Sequence, residues 1–239
     1  MHLADFDVLS FDCYGTLIDW ETGIWNALQP VLQRGQGRPA RDALLQTFGR
    51  LESALETEEP TAPYPVVLAR VHARLASELG VRSAPEEDAR FGASIRDWPA
   101  FPDSTEALRY LKRFYKLAIL SNVDRASFAA SASRLGVAFD IVCTAEDIGS
   151  YKPSLRNFEY LLASVRAAGF PKERLLHVAE SLYHDHLPAN QMGLASAWIH
   201  RRYGQAGHGA TARPPTMPRF DFRFTSLGEL AAAHAGGTS

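Results

Sequence analysis

Four short stretches of this 239-residue chain place reactive side chains after apolar runs. The run at residues 6–11 ends in Asp12, with Tyr14 two positions on and Gly15 and Thr16 behind it. A second run, 117–120, ends in Ser121 and Asn122. Beyond a third, 139–143, the chain reaches Lys152 and Pro153. A fourth, 175–179, ends in Glu180 and Ser181, followed by Tyr183, His184 and Asp185. An Asp carboxylate is ionised at neutral pH from a reference pKa of about 3.9. Burial would raise that value and a nearby lysine ammonium would hold it down. A dry pocket would strip the hydration that blunts a carboxylate nucleophile. One acid, one hydroxyl, one cation and a second acid are thus available for covalent hydrolysis.

These residues converge only if the apolar runs are neighbouring parallel strands, because ligands bind beyond the carboxyl ends of such strands. The chain pattern supports this. From residue 98, strands at 117–120, 139–143, 175–179, 196–199 and 220–224 alternate with helices. Near-continuous apolar strands alternating with helices predict a three-layer α/β fold, a doubly wound parallel sheet of Rossmann type. Asp103 with Glu106 reads as a capping box opening a helix through Tyr115. Asp124 caps the next helix, which stops at Gly136; a helix over 154–168 is closed by Gly169, and a short one ends at Gly193. Before residue 98 the pattern is helical, with segments at 21–33, 41–55, 65–79 and 86–95. Gly35, Gln36, Gly37, Arg38 and Pro39 make one break, and Pro60, Pro63 and Pro65 mark another. An α-helical cap over 19–97 is therefore expected between strand one and the rest of a core formed by 1–18 and 98–239. The Gly- and Pro-rich stretch 203–218 reads as a flexible surface connection, and a last helix spans 227–235.

Composition narrows the function. Residues are 46% apolar and 22% charged, and the net charge is 25 − 27 = −2. No strong field is available for nucleic acid or an anionic membrane surface, so neither partner is expected. No apolar run approaches the ~18 residues of a membrane span. No basic export signal opens the chain, so a cytoplasmic protein is expected, with Cys13 and Cys143 reduced rather than paired. A monomer or homodimer acting on a small molecule fits this composition.

At the reactive residues the chain resembles the haloacid dehalogenase (HAD) superfamily, whose motifs it carries over its whole length, inserted helical cap included. The resemblance implies that Asp12, before Gly15 and Thr16, is the nucleophile. Ser121 is the strand-end hydroxyl of the second motif, Lys152 the lysine of the third, and Glu180 with Asp185 the acidic fourth. Asp12, Cys13, Tyr14, Gly15 and Thr16 are similar to the L-2-haloacid dehalogenase branch. Stretches 12–23, 98–103 and 180–186 resemble those members of the branch that hydrolyse L-azetidine-2-carboxylate. Phosphatase members keep an acid two residues after the nucleophile, where this chain has Tyr14. That acid protonates an alkoxide; a halide or an already protonated amine leaves without it. The dehalogenases usually carry an Asn where Ser181 stands and a Tyr where Phe158 stands.

The expectation is a hydrolase without metal or other cofactor, displacing a leaving group at C2 of a small carboxylic acid. The ester formed on Asp12 is cleaved by water oriented by Asp185 or His184. Both L-azetidine-2-carboxylate ring opening and 2-haloacid dehalogenation fit. A magnesium-dependent phosphatase of the same fold and a non-catalytic binding protein are the rival readings. Thr16 would position Asp12, or only cap a helix. Tyr14 and Trp20 would wall the pocket, or simply pack. Ser121 and Asn122 would meet substrate, or form a local turn. Ser181 and His184 are further substrate contacts. Arg50 stands on a cap helix near where dehalogenases use an Arg, and would hold the substrate carboxylate unless it lies on a solvated face. His72, His177, His186 and His200 lack metal-ligand spacing.

Overall fold

A computed structural model describes residues 1–35, 37 and 39–237. Gln36 and Arg38, within the break expected there, lie outside the described residues. The first strand is β1 (Val8–Phe11). Four helices follow it: α1 (Trp20–Leu32), α2 (Arg41–Glu58), α3 (Tyr64–Glu78) and α4 (Pro85–Ala93). The alternating part contains α5 (Ser104–Leu111), β2 (Lys116–Ser121), α6 (Arg125–Leu135), β3 (Ile141–Thr144), α7 (Ala145–Ile148) and α8 (Leu155–Ala167). It closes with β4 (Leu175–Ala179), α9 (Leu187–Gln191), β5 (Ala195–Ile199), β6 (Phe222–Phe224) and α10 (Leu227–Gly237).

The six strands form one sheet in the order β3-β2-β1-β4-β5-β6, and every pairing is parallel. Alternate side chains go to opposite faces. Leu9, Phe11, Leu117, Ile119, Leu176 and Val178 join α5 and α10 in one apolar cluster. Val8, Ala118, Leu120 and Leu175 join α8 and α9 in a second. Both faces are therefore covered, and the expected three-layer α/β fold with a helical insertion is present. β1 lies between β2 and β4, where the strand order reverses, and Asp12 follows its last residue.

Three local expectations are corrected. Asp103 does not close a capping box. It stands at the start of α5, but its carboxylate accepts from Arg201 (2.7 Å) and the Gly228 backbone N–H (2.9 Å), while Glu106 pairs with Arg109. The charged guanidinium of Arg201, with a distant backbone N–H, takes the carboxylate from the local cap. α5 itself ends at Leu111 and not at Tyr115. The third correction concerns 203–218, whose middle packs against α1 and α2 instead of crossing the surface. Ala210 is buried, its N–H donates to Glu21 (2.9 Å), and Thr211 donates to Glu180 (2.9 Å). Gly49 on α2 permits this approach: a Cβ there would lie 2.0 Å from the Ala210 carbonyl oxygen. Among the described residues, no helix is long and apolar enough to cross a membrane.

Candidate active site

Asp12 is buried beyond the carboxyl end of β1, and its backbone N–H donates to the Val178 carbonyl of β4 (3.1 Å). This continues the sheet ladder one residue past the strand, so the sheet fixes the direction of the side chain. Gly15 then turns the chain with φ +90°, in the left-handed region that favours glycine, and a Cβ there would meet the Trp20 indole at 3.1 Å. The turn returns Thr16 to the carboxylate: its hydroxyl donates to Asp12 Oδ2 (2.7 Å) and accepts from the Glu180 N–H (2.9 Å).

Lys152 is the electrostatic centre. Its ammonium donates to Asp12 Oδ1 (2.9 Å), Asp185 Oδ1 (2.8 Å) and the Leu120 carbonyl (3.1 Å). Burial works against its charge, but the two carboxylates outweigh it and hold the amine protonated. Asn122 fixes the backbone beneath, accepting from the Lys152 N–H (2.7 Å) and donating to the Lys152 carbonyl (3.1 Å). Burial pushes the Asp12 carboxyl up, and Lys152 and Thr16 oppose it. Burial also pushes Asp185 up, but there Lys152 and His177 together prevail and hold it well below the usual carboxylate range.

Asp185 lies in a single π-helical turn, Leu182–His186, opened by Ser181, whose hydroxyl accepts from the His184 N–H (3.0 Å). Such turns re-aim side chains and recur at functional sites. Asp185 Oδ1 also meets His177 Nε2 (2.9 Å), while His177 Nδ1 meets the Ser10 hydroxyl (2.9 Å). Asp185 Oδ2 has no hydrogen-bond partner, nor does the buried Ser121 hydroxyl at the end of β2. Burial lowers His184 to about 4, so its ring is neutral at pH 7.

A cavity of about 40 Å³ is lined by Asp12, Tyr14, Trp20, Ser121, Asn122, Lys152, Ser181, His184 and Asp185, and from the cap by Glu52, Glu56 and Tyr64. Thr211 completes it and also lines a neighbouring cavity of about 360 Å³, which shares the Trp20 wall. Trp20 packs edge-on to Phe48 of α2. Tyr14 presents its ring edge-on to Trp98 and turns its hydroxyl away to Ser131 (2.9 Å). Burial raises that phenol far above its ordinary value, so it is a poor proton donor.

Two expected residues stand outside this arrangement: Glu180, whose carboxylate lines the neighbouring cavity, and Arg50. The arginine lies on the solvated face of α2, paired with Glu78 at 2.7 Å, with both side chains about half exposed. The inward face of that helix carries Leu51, Glu52, Leu55 and Glu56, so the helical period turns Arg50 to solvent. Sequence reasoning missed His177, Glu52, Glu56, Tyr64 and Thr211. His177 had a signal, being the one polar residue in the apolar stretch 175–179. Glu52 and Glu56 had one too, because they keep the spacing of Phe48, Leu51 and Leu55.

The set does not fit a magnesium ion. Such an ion takes near-octahedral oxygen ligands. Lys152 holds one oxygen of each of Asp12 and Asp185, and among the described residues no group of three or more His, Cys, Asp or Glu could hold a metal.

Residues 6–193 match the hydrolase family described as haloacid dehalogenase-like hydrolases. An L-2-haloacid dehalogenase from Xanthobacter autotrophicus is similar in structure, with TM-score 0.78 and 18% identity over 97% of this chain and 99% of that one. The same enzyme is known with chloropropionic acid covalently bound. A magnesium-bound HAD hydrolase from Bacillus subtilis is similar with TM-score 0.74 and 17% identity, over 96% and 99% of the chains. A glyceraldehyde 3-phosphate phosphatase from Methanothermobacter thermautotrophicus is 31% identical over 109 residues, 44% of this chain. That match spans about half of the relative's length (47%).

Proposed function

The chain belongs to the haloacid dehalogenase-like hydrolase family, and on that premise we propose that it hydrolyses a small carboxylic acid at C2 through an ester on Asp12. Residues 1–18 and 98–239 are the catalytic core in this reading, and 19–97 the cap. The observation that carries it is Lys152, whose ammonium touches the nucleophile and Asp185 at once. A carboxylate oxygen of Asp12 attacks C2 as the bond to the leaving group breaks, and the bonding pair departs with that group. Lys152 and Thr16 hold the carboxylate for attack. Water then attacks the ester carbonyl, passing a proton to the unpartnered oxygen of Asp185, which returns it to the departing alkoxide; a 2-hydroxy acid leaves and Asp12 is restored as its carboxylate. Ser121, with its free hydroxyl, binds the substrate carboxylate. Ser181 and neutral His184 shape the wall beside Asp185.

The finer reading is ring opening of L-azetidine-2-carboxylate, with 2-haloacid dehalogenation as the alternative. The ring nitrogen arrives protonated and leaves as a neutral amine, which takes up the proton released from water. No general acid is required, in keeping with Tyr14. The phosphatase relative favours a second reading, but the site offers neither an acid beside the nucleophile nor a magnesium cage.

Single turnover in heavy-oxygen water tests the proposal. The label should enter Asp12 first, Asp12→Asn should abolish turnover without unfolding the chain, and EDTA should leave the rate unchanged. Label passing directly into product excludes the ester. A metal requirement on phosphate esters establishes the phosphatase reading instead.

A further inference from the structure

Glu52 and Glu56 lie one turn apart on the inward face of α2, and both are buried in the wall of the cavity that holds Asp12. The mechanism above does not use them. Like charges four residues apart on a helix repel, and a buried carboxylate is costly unless a cation accompanies it. Neither has one. Glu52 accepts from the Tyr64 hydroxyl, and Glu56 accepts only long contacts from the Asn122 amide (3.3 and 3.4 Å). The cavity's cation, Lys152, is already shared by Asp12 and Asp185. In the lining of the same cavity, the Ser121 hydroxyl is buried without a partner. The site thus holds a surplus of acids and an idle hydroxyl in one lining.

We propose that Glu52 and Glu56 are the specificity residues for a substrate ammonium, so that the substrate class is a small zwitterionic amino acid with its carboxylate at Ser121. This rests on the Asp12 reading and deepens it. Burial lifts Glu52 to about 7 and Glu56 well above the usual carboxylate range, so the empty pair retains a proton. A bound ammonium releases that proton and supplies the missing charge. A plain 2-haloacid brings no cation to take the place of that proton, so the pair gives it no such gain.

The test compares two unreactive five-membered rings, L-proline and (S)-tetrahydrofuran-2-carboxylate, by titration calorimetry on the full chain. They share a carboxylate and differ in the ammonium. Proline should bind at least tenfold more tightly, about 1.4 kcal/mol. Glu52→Gln and Glu56→Gln together should reduce that preference below twofold. Equal binding, binding of neither ring, or a preference that survives both substitutions overturns the inference. The wild-type comparison decides even if the double variant fails to fold. Glutamate-dependent proline binding without turnover of any C2 substrate would sink the Asp12 reading alone. Turnover without the ammonium preference would sink this inference alone.

Discussion

On the sheet rim, Asp12 and Asp185 each lie within 3 Å of the Lys152 ammonium (2.9 and 2.8 Å). On the cap wall, Glu52 and Glu56 have a phenol and an amide for partners. Burial is nearly complete in both places, and the consequences are opposite. Asp185 is held ionised below the usual carboxylate range, whereas Glu52 is lifted to about 7. The Lys152 ammonium holds Asp185 as a carboxylate at any physiological pH, whereas Asp12, which shares it, stays raised by burial. A buried acid without a cation stores a proton until something positive arrives. The rim is therefore built for chemistry before substrate binds, and the cap wall is completed by what binds.

The contrast breaks first at Lys152. Lys152→Met leaves two carboxylates facing each other without charge compensation. Removing one partner from a buried ion pair costs about 3–5 kcal/mol, and kcat should fall roughly a hundred- to a thousandfold. Chemical denaturation and steady-state kinetics measure both. A variant as stable as the wild type would show that the rim acids do not depend on Lys152.

The cap wall answers in the other direction. Burial raises Glu52 from 4.5 to about 7, so the folded state holds that proton more tightly than the unfolded chain. Its contribution is full below pH 4.5 and is lost as the pH rises through about 7. Glu52→Gln should therefore gain stability relative to wild type between pH 4.5 and 7, measured as the difference between two denaturation series. A flat difference would mean that Glu52 is compensated after all.

Arg50→Ala should do least. Its partner Glu78 is solvated, and such pairs contribute about 0–1 kcal/mol. kcat/KM should stay within twofold of wild type. A rise in KM for a carboxylate substrate would return Arg50 to the site.

What could be read from the chain alone followed from local chemistry repeated along it. Apolar runs ending in Asp12, Ser121 and Glu180 defined a parallel sheet, because only strands of one direction bring such ends together. Gly15 and Thr16 behind Asp12 marked the turn that returns a hydroxyl to the carboxylate. The helices of 20–97 were legible as an insertion because they interrupt a strand–helix alternation. The face each cap helix turns inward was not. Arg50, Glu52 and Glu56 stand within two turns of one another on α2, and only the packing of α2 against α3 and the core shows which of them meet solvent. The same holds for Asp103, taken by Arg201 across 98 residues of chain, and for Thr211, brought by a Gly-rich loop to Glu180. Sequence spacing determines which side chains share an element's face. Which face is buried, and beside which charge, depends on contacts distant in the chain, and that tertiary choice made two glutamates part of the site and left the arginine outside it.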